Sequence, residues 1–245
     1  MTMSSRTAIV AAVLAGAALL PAEGLAQRTR RPPRGDFPDA HITVEVFGGL
    51  ADYGRFLEQF ASSDGFTGQR EVTASTALAL GAAVGAYPWE KTGVRLGFTW
   101  SPTDIEFEDD SGTDVDILDE DDLADLSVYV LSLDVIRFLL DPSERFTPYA
   151  SGGITAAWWH LGDDDGEILA VDETHFRWGG FGSIGLQYRA TRHIGARLEV
   201  ATMGLGNPFD GNNAYRTATG VTFDEPSTVR LTRITLAVTY SFLKD

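Results

Sequence analysis

From His41 to the C-terminus, eight runs of residues alternate between apolar and polar with period two. Alternation at this period puts successive side chains on opposite faces of a strand. The first run, 41–50, sets Ile42, Val44 and Val46 against Thr43 and Glu45. In 73–87, Leu78, Leu80, Ala82 and Val84 oppose Ala77, Ala79, Gly81, Ala83 and Gly85. In 94–103, Val94, Leu96, Phe98 and Trp100 oppose Arg95, Gly97, Thr99 and Ser101. The same arrangement returns in 126–138, 147–160, 175–189 and 194–203. It closes in 229–242, where Ile234, Leu236, Val238, Tyr240 and Phe242 face away from Arg233, Thr235, Thr239 and Ser241. Eight strands are therefore expected.

The connections distinguish two architectures that share this period. Breaks at 88–93, 139–146 and 190–193 are short, whereas 51–72, 104–125, 161–174 and 204–228 are long. A Greek-key sandwich gives no such rhythm. A closed membrane barrel does, with short turns on the periplasmic side and long loops outside. The last long break also leaves room for a further hairpin. Runs of about 10–15 residues exceed the ~5–6 of an ordinary strand and are long enough to cross a bilayer when tilted. The polar face carries charges in mid-strand: Glu45, Arg95, Asp134, Arg197, Glu199 and Arg233. In an eight-stranded barrel the interior is just wide enough for side chains to fill it. Three acids and three bases enclosed there must pair, so an internal ion-pair network is expected. A narrow gated polar path is the alternative reading of the same six residues.

Aromatics fall at the strand ends. Trp100, Trp158, Trp159 and Trp178 adjoin long loops, and Tyr87, Trp89, Tyr188, Tyr240 and Phe242 adjoin short turns or the C-terminus. Two such belts are expected at the two interfaces of a bilayer. Residues 1–26 read as a secretory signal, with Arg6, an apolar core from Ala8 to Leu20, Pro21, and small residues in Gly24-Leu25-Ala26. Residues 27–39, with Arg28, Arg30, Arg31, Arg34, Pro32, Pro33 and Pro38, read as a periplasmic linker. The barrel is expected over 40–243.

Composition narrows the chemistry. The net charge of −16 argues against a nucleic-acid partner. The absence of cysteine removes thiolate metal sites, disulfides and Cys nucleophiles. Residues 104–125 hold twelve carboxylates and neither Lys nor Arg, and 161–174 add Asp163, Asp164, Asp165, Glu167, Asp172 and Glu173. Such blocks read first as solvated, self-repelling loops. Weak contacts with Ca²⁺ or Mg²⁺ at Asp109, Asp110, Asp114, Asp116, Asp163 and Asp165 are the alternative, since hard cations take several oxygen ligands. No tightly bound cofactor is expected. His41 and His193 lie at inner strand ends, while His160 and His175 flank the third long loop without a nucleophile elbow. No catalytic residue is assigned.

The signal, the eight-strand meander, the glycine-rich run Pro148-Tyr149-Ala150-Ser151-Gly152-Gly153 and the ending Thr239-Tyr240-Ser241-Phe242 resemble the small outer-membrane β-barrel superfamily of OmpA/OmpW type. Leu243-Lys244-Asp245 depart from its usual terminal aromatic residue, which the insertion machinery reads. The resemblance implies an all-β fold, an eight-stranded antiparallel up-and-down transmembrane barrel in a bacterial outer membrane. Implied partners are membrane lipid, lipopolysaccharide and the barrel-insertion machinery, and the barrel is expected to be a monomer. The expected role is non-enzymatic: the barrel anchors acidic external loops that contact the cell surface, cations or external partners. A narrow channel for small or hydrophobic solutes is the runner-up, and a lipid A-modifying enzyme the third reading.

Overall fold

A computed structural model describes residues 41–60, 69–89, 91–109, 124–142, 144–162, 173–208 and 227–243. The expected signal and linker lie outside them. Ten strands are present among the described residues: β1 (His41–Tyr53), β2 (Leu57–Phe60), β3 (Gln69–Ala74), β4 (Ala77–Trp89), β5 (Thr92–Asp109), β6 (Ala124–Phe138), β7 (Phe146–Gly162), β8 (Glu173–Arg189), β9 (Ile194–Gly206) and β10 (Thr228–Leu243). Eight of them form a closed antiparallel ring in which β1 pairs with β4 and β10, and β5 pairs with β6. Closure leaves no unpaired edge in the ring, the condition for β-structure in hydrocarbon.

The remaining two strands correct the expected layout. β2 and β3 form a hairpin in the first long connection, and β3 continues along β5 from Arg70–Asp109 to Ala74–Ile105. Short polar strands such as Gln69–Ala74 carry too little alternation to be read from sequence. The break at 204–228, where a further hairpin was allowed for, falls largely outside the described residues. The β4–β5 ladder runs to Leu80–Trp100, and pairing resumes at Ala74–Ile105, so the five residues 75–79 oppose the four residues 101–104. Pro102 lies in that interval, where its missing N–H removes a ladder donor.

Polarity along the ring changes sign with height. Toward the short turns the outward face is apolar: Val46, Val84, Leu96, Leu133, Ile184 and Val238 are all exposed. The inward face there carries the buried charges and threonines above a small apolar cluster of Tyr87, Ile136, Phe138 and Tyr149. Toward the long loops Tyr53, Ile105, Leu126, Trp159, Met203 and Leu231 are buried inward. The outward positions on the same stretches are Asp52, Asp125, Ser127, His160, Thr174 and Arg230. The lower part is thus built for lipid outside, and the upper part has the dry core of a barrel in water. On β8, the ten steps from Trp178 to Tyr188 rise roughly 25 Å at ~3.3 Å per residue and ~40° tilt, the height of a barrel's apolar band. The barrel strands of 13–18 residues exceed the ~9–11 needed for crossing, so the surplus projects beyond the bilayer.

This inversion predicts a position-dependent cost on a single face of β6. Leu133→Arg, at mid-band, is expected to lower the unfolding free energy by about 2–4 kcal/mol, and Ser127→Arg, beyond the outer belt, by about 0–1 kcal/mol. Urea unfolding in lipid vesicles measures both.

Candidate functional site: the charged belt of the lumen

The six mid-strand charges lie on inward positions of β1, β5, β6, β9 and β10, and all are buried. Ring closure brings them to one level. The Arg95 guanidinium donates to both carboxylate oxygens of Asp134, at 3.2 and 3.0 Å, and to Glu199 at 2.8 Å. Glu45 lies 3.7 Å from Arg95 and accepts a 2.6 Å bond from Arg197. Arg233 sits 3.7 Å from Glu199 and donates to Thr99. Every carboxylate therefore has at least one guanidinium partner, as charges removed from water require.

Neutral side chains that the sequence did not assign to the lumen network complete the belt. Arg197 donates to Gln187 at 2.9 Å and to the Tyr87 hydroxyl at 3.1 Å. Tyr149 donates to Glu199 at 2.8 Å, and its ring faces Arg197 with 5.0 Å between guanidinium carbon and ring centre. Inward glycines make space for these rings: a Cβ on Gly185 would collide with Tyr149, and one on Gly93 with Tyr87. About 10 Å³ remains free among Glu45, Arg95, Arg197, Glu199 and Arg233, the room of a single water.

Two aromatics expected in the lipid-facing belts are corrected. Tyr87 is 1% exposed and Trp159 fully buried; both point into the lumen. Tyr87 packs with Phe138 below the charges and stacks on His41. Trp159 meets Tyr53 and Phe56 above them, with ring centres 6.0 and 5.6 Å apart. Strand parity holds the signal. Tyr87 continues the Gly81, Ala83, Gly85 side, and of the neighbours Trp158 and Trp159 just one can face lipid. The other girdle residues face outward. Trp100, Trp158 and Trp178 stand toward the long loops, and Trp158 and Trp178 each pack 5.2 Å from Phe176. Trp89, Tyr188, Tyr240 and Phe242 stand toward the short turns.

The mouth toward the long loops has its own fastening. Phe56 is buried beneath it, and its carbonyl accepts a 2.7 Å bond from the buried Asn207 side chain. Arg177 in turn donates to the Asn207 carbonyl at 2.8 Å. Nothing in the sequence marks these three residues, which come from separate parts of the chain.

His160 and His175 occupy opposite faces of the wall: His160 faces outward and shares a 3.1 Å hydrogen bond with Thr174, while His175 takes an inward position. They do not converge. Among the acidic positions considered for divalent cations, Asp109 ends β5, and Asp110, Asp114, Asp116, Asp163 and Asp165 lie outside the described residues. Among the described residues no cluster of three metal-ligating side chains occurs.

Comparison with known proteins gives a consistent fold. A family model described as outer membrane protein beta-barrel domain matches residues 12–242. No curated protein matches the sequence. The crystal structure of OprG from Pseudomonas aeruginosa is 16% identical with a TM-score of 0.56, covering 84% of this chain and 98% of that one. The solid-state NMR structure of AlkL in lipid bilayers is 14% identical with a TM-score of 0.53, covering 89% and 97%. Neisserial surface protein A is 12% identical at 0.50, covering 84% and 100%. At these identities the likeness concerns the fold.

Removing one member of the belt strands its partner in a dry interior. Arg197→Ala is expected to lower stability by about 3–5 kcal/mol. Denaturant unfolding in vesicles checks this, with loss of the heat-dependent gel shift at a lower temperature as a second readout.

Proposed function

Because the chain belongs to the outer membrane protein beta-barrel domain family, we propose that it is a non-conducting, non-enzymatic outer-membrane anchor that presents its acidic external loops beyond the lipid surface. One observation carries this reading. Paired charges reach across the lumen at the level of Glu45, Arg95, Arg197, Glu199 and Arg233, and the cavity they line has about 10 Å³, the room of a single water. Arg95 and Glu199 connect strands on different sides of the ring, so the belt spans the interior. The projecting upper barrel adds support, since its packed interior makes a firm base for the loops. The seven carboxylates between β5 and β6, from Asp110 to Asp122, give the second long connection its chemistry. They suit divalent cations and, through such cations, the phosphates of lipopolysaccharide. The two converging groups that acid–base catalysis on lipid A would need are not brought together by His160 and His175.

A second reading has its own observation. The interrupted β4–β5 ladder around Pro102 lies beside the apolar upper interior. An apolar solute that entered from the loop side could leave there sideways at the outer edge of the bilayer, just above Trp100, without passing the charged belt.

Refolded mature protein in a planar bilayer separates these roles from a channel. A silent bilayer is expected, with gel mobility showing that the barrel is folded. Discrete, steady current steps would overturn the anchor reading. Faster partition of an apolar dye into vesicles that carry the protein, lost in Pro102→Val, would move the function to the second reading.

A further inference from the structure

The barrel's short-turn rim differs in charge from the rest of this acidic chain. Among the described residues it carries Lys91, Arg137, Arg145, Arg189 and Arg192 against Asp141 and Glu144. Two of the arginines are exposed on the outer surface and held by neighbours. Arg137, on the outward face of β6, donates to the Thr92 hydroxyl across the β5–β6 seam at 3.3 Å. Arg145, just before β7, donates to the Tyr188 hydroxyl at 2.7 Å, and its guanidinium lies 5.2 Å from the centre of that ring. A guanidinium has five N–H donors, so each keeps donors beyond the one its neighbour takes.

Between them in the chain, Leu139 and Leu140 are 59% and 51% exposed. The Leu139 backbone is fixed at the rim by a 2.9 Å bond from its N–H to the Pro148 carbonyl. Adjacent exposed leucines on a tight turn are unfavourable in water and favourable among acyl chains. Phe146 and Tyr188, with ring centres 4.9 Å apart, place the aromatic belt beside the same turn. Apolar side chains at the acyl level and guanidinium groups beside them match an amphiphile with an anionic phosphate.

We propose that the β6–β7 turn, through Arg137, Arg145, Leu139 and Leu140, is a binding surface for anionic phospholipid in the leaflet on the short-turn side. A zwitterionic lipid offers the same phosphate, but its ammonium group offsets the attraction that a net negative headgroup keeps. The surface adds a preference for one lipid class to the anchoring role. It does not depend on whether the lumen conducts.

The test uses the full mature barrel in nanodiscs of equal phosphatidylglycerol and phosphatidylcholine, released into mild detergent and weighed intact by mass spectrometry. Phosphatidylglycerol is expected to remain bound in excess over phosphatidylcholine. Arg137→Gln and Arg145→Gln are each expected to reduce that excess about fivefold, and the pair about thirtyfold. Arg230→Gln, at the opposite rim, should leave it unchanged. Equal retention of the two lipids by the unaltered protein would overturn the proposal. So would an undiminished excess in the double variant, with heat-dependent gel mobility confirming that it is folded.

Discussion

Three carboxylates and three guanidinium groups must meet inside a ring of protein surrounded by hydrocarbon, and the rest of the structure follows from that requirement. Glu45 and Arg197 are 152 positions apart in sequence, and Arg95 and Glu199 104 apart. None of these pairs exists in a single hairpin. An open sheet in lipid would keep Arg95–Asp134 on the β5–β6 hairpin but would separate Arg95 from Glu199 on the far side of the ring, at several kcal/mol per unpaired ion even after relaxation. Closing the ring supplies the partners and removes the sheet edges in the same step. Register is fixed as well, because a slip of one residue in any of these five strands would turn that strand's charges toward lipid.

The belt also divides the molecule into two solvent regimes. At the belt the strands obey the rule of a membrane barrel, polar inside and apolar outside, and below it a small cluster of Tyr87, Ile136, Phe138 and Tyr149 closes the bore. Above it the same strands obey the rule of a soluble barrel, with Trp159, Phe56 and Tyr53 forming a dry core. One continuous β6 serves both regimes. Leu126, Val128 and Val130 are buried inward near its outer end, and Leu131, Leu133 and Val135 are exposed outward near its inner end. The fastening of Phe56 by Asn207 and Arg177 covers the upper core where the wall ends.

Much of this was legible in the alternation. The eight ring strands, their short and long connections and the inward placement of Glu45, Arg95, Asp134, Arg197, Glu199 and Arg233 follow from period two and the narrow bore of eight strands. What escaped did so for physical reasons. Strand-end position is shared by lipid-facing and lumen-facing aromatics, so Tyr87 and Trp159 needed parity to be placed. The change of regime along β6 is hidden because both faces are apolar around Val130. The partners Tyr149 and Gln187 are neutral side chains whose role depends on charges contributed by distant strands. The Phe56–Asn207–Arg177 fastening joins three segments through one side-chain amide and backbone carbonyls, which no pattern in composition records.

The claim on which this account rests is that the belt's pairs stabilise the closed barrel. A double-mutant cycle on Glu45 and Arg197 tests it most directly, using Glu45→Gln, Arg197→Met and their combination, unfolded by urea in lipid vesicles. The account predicts a coupling of about 2–3 kcal/mol, so that the second substitution costs far less once the first is made. Additive costs, with coupling below about 0.5 kcal/mol, would contradict it and leave the fold to be explained by its lipid-facing surface alone.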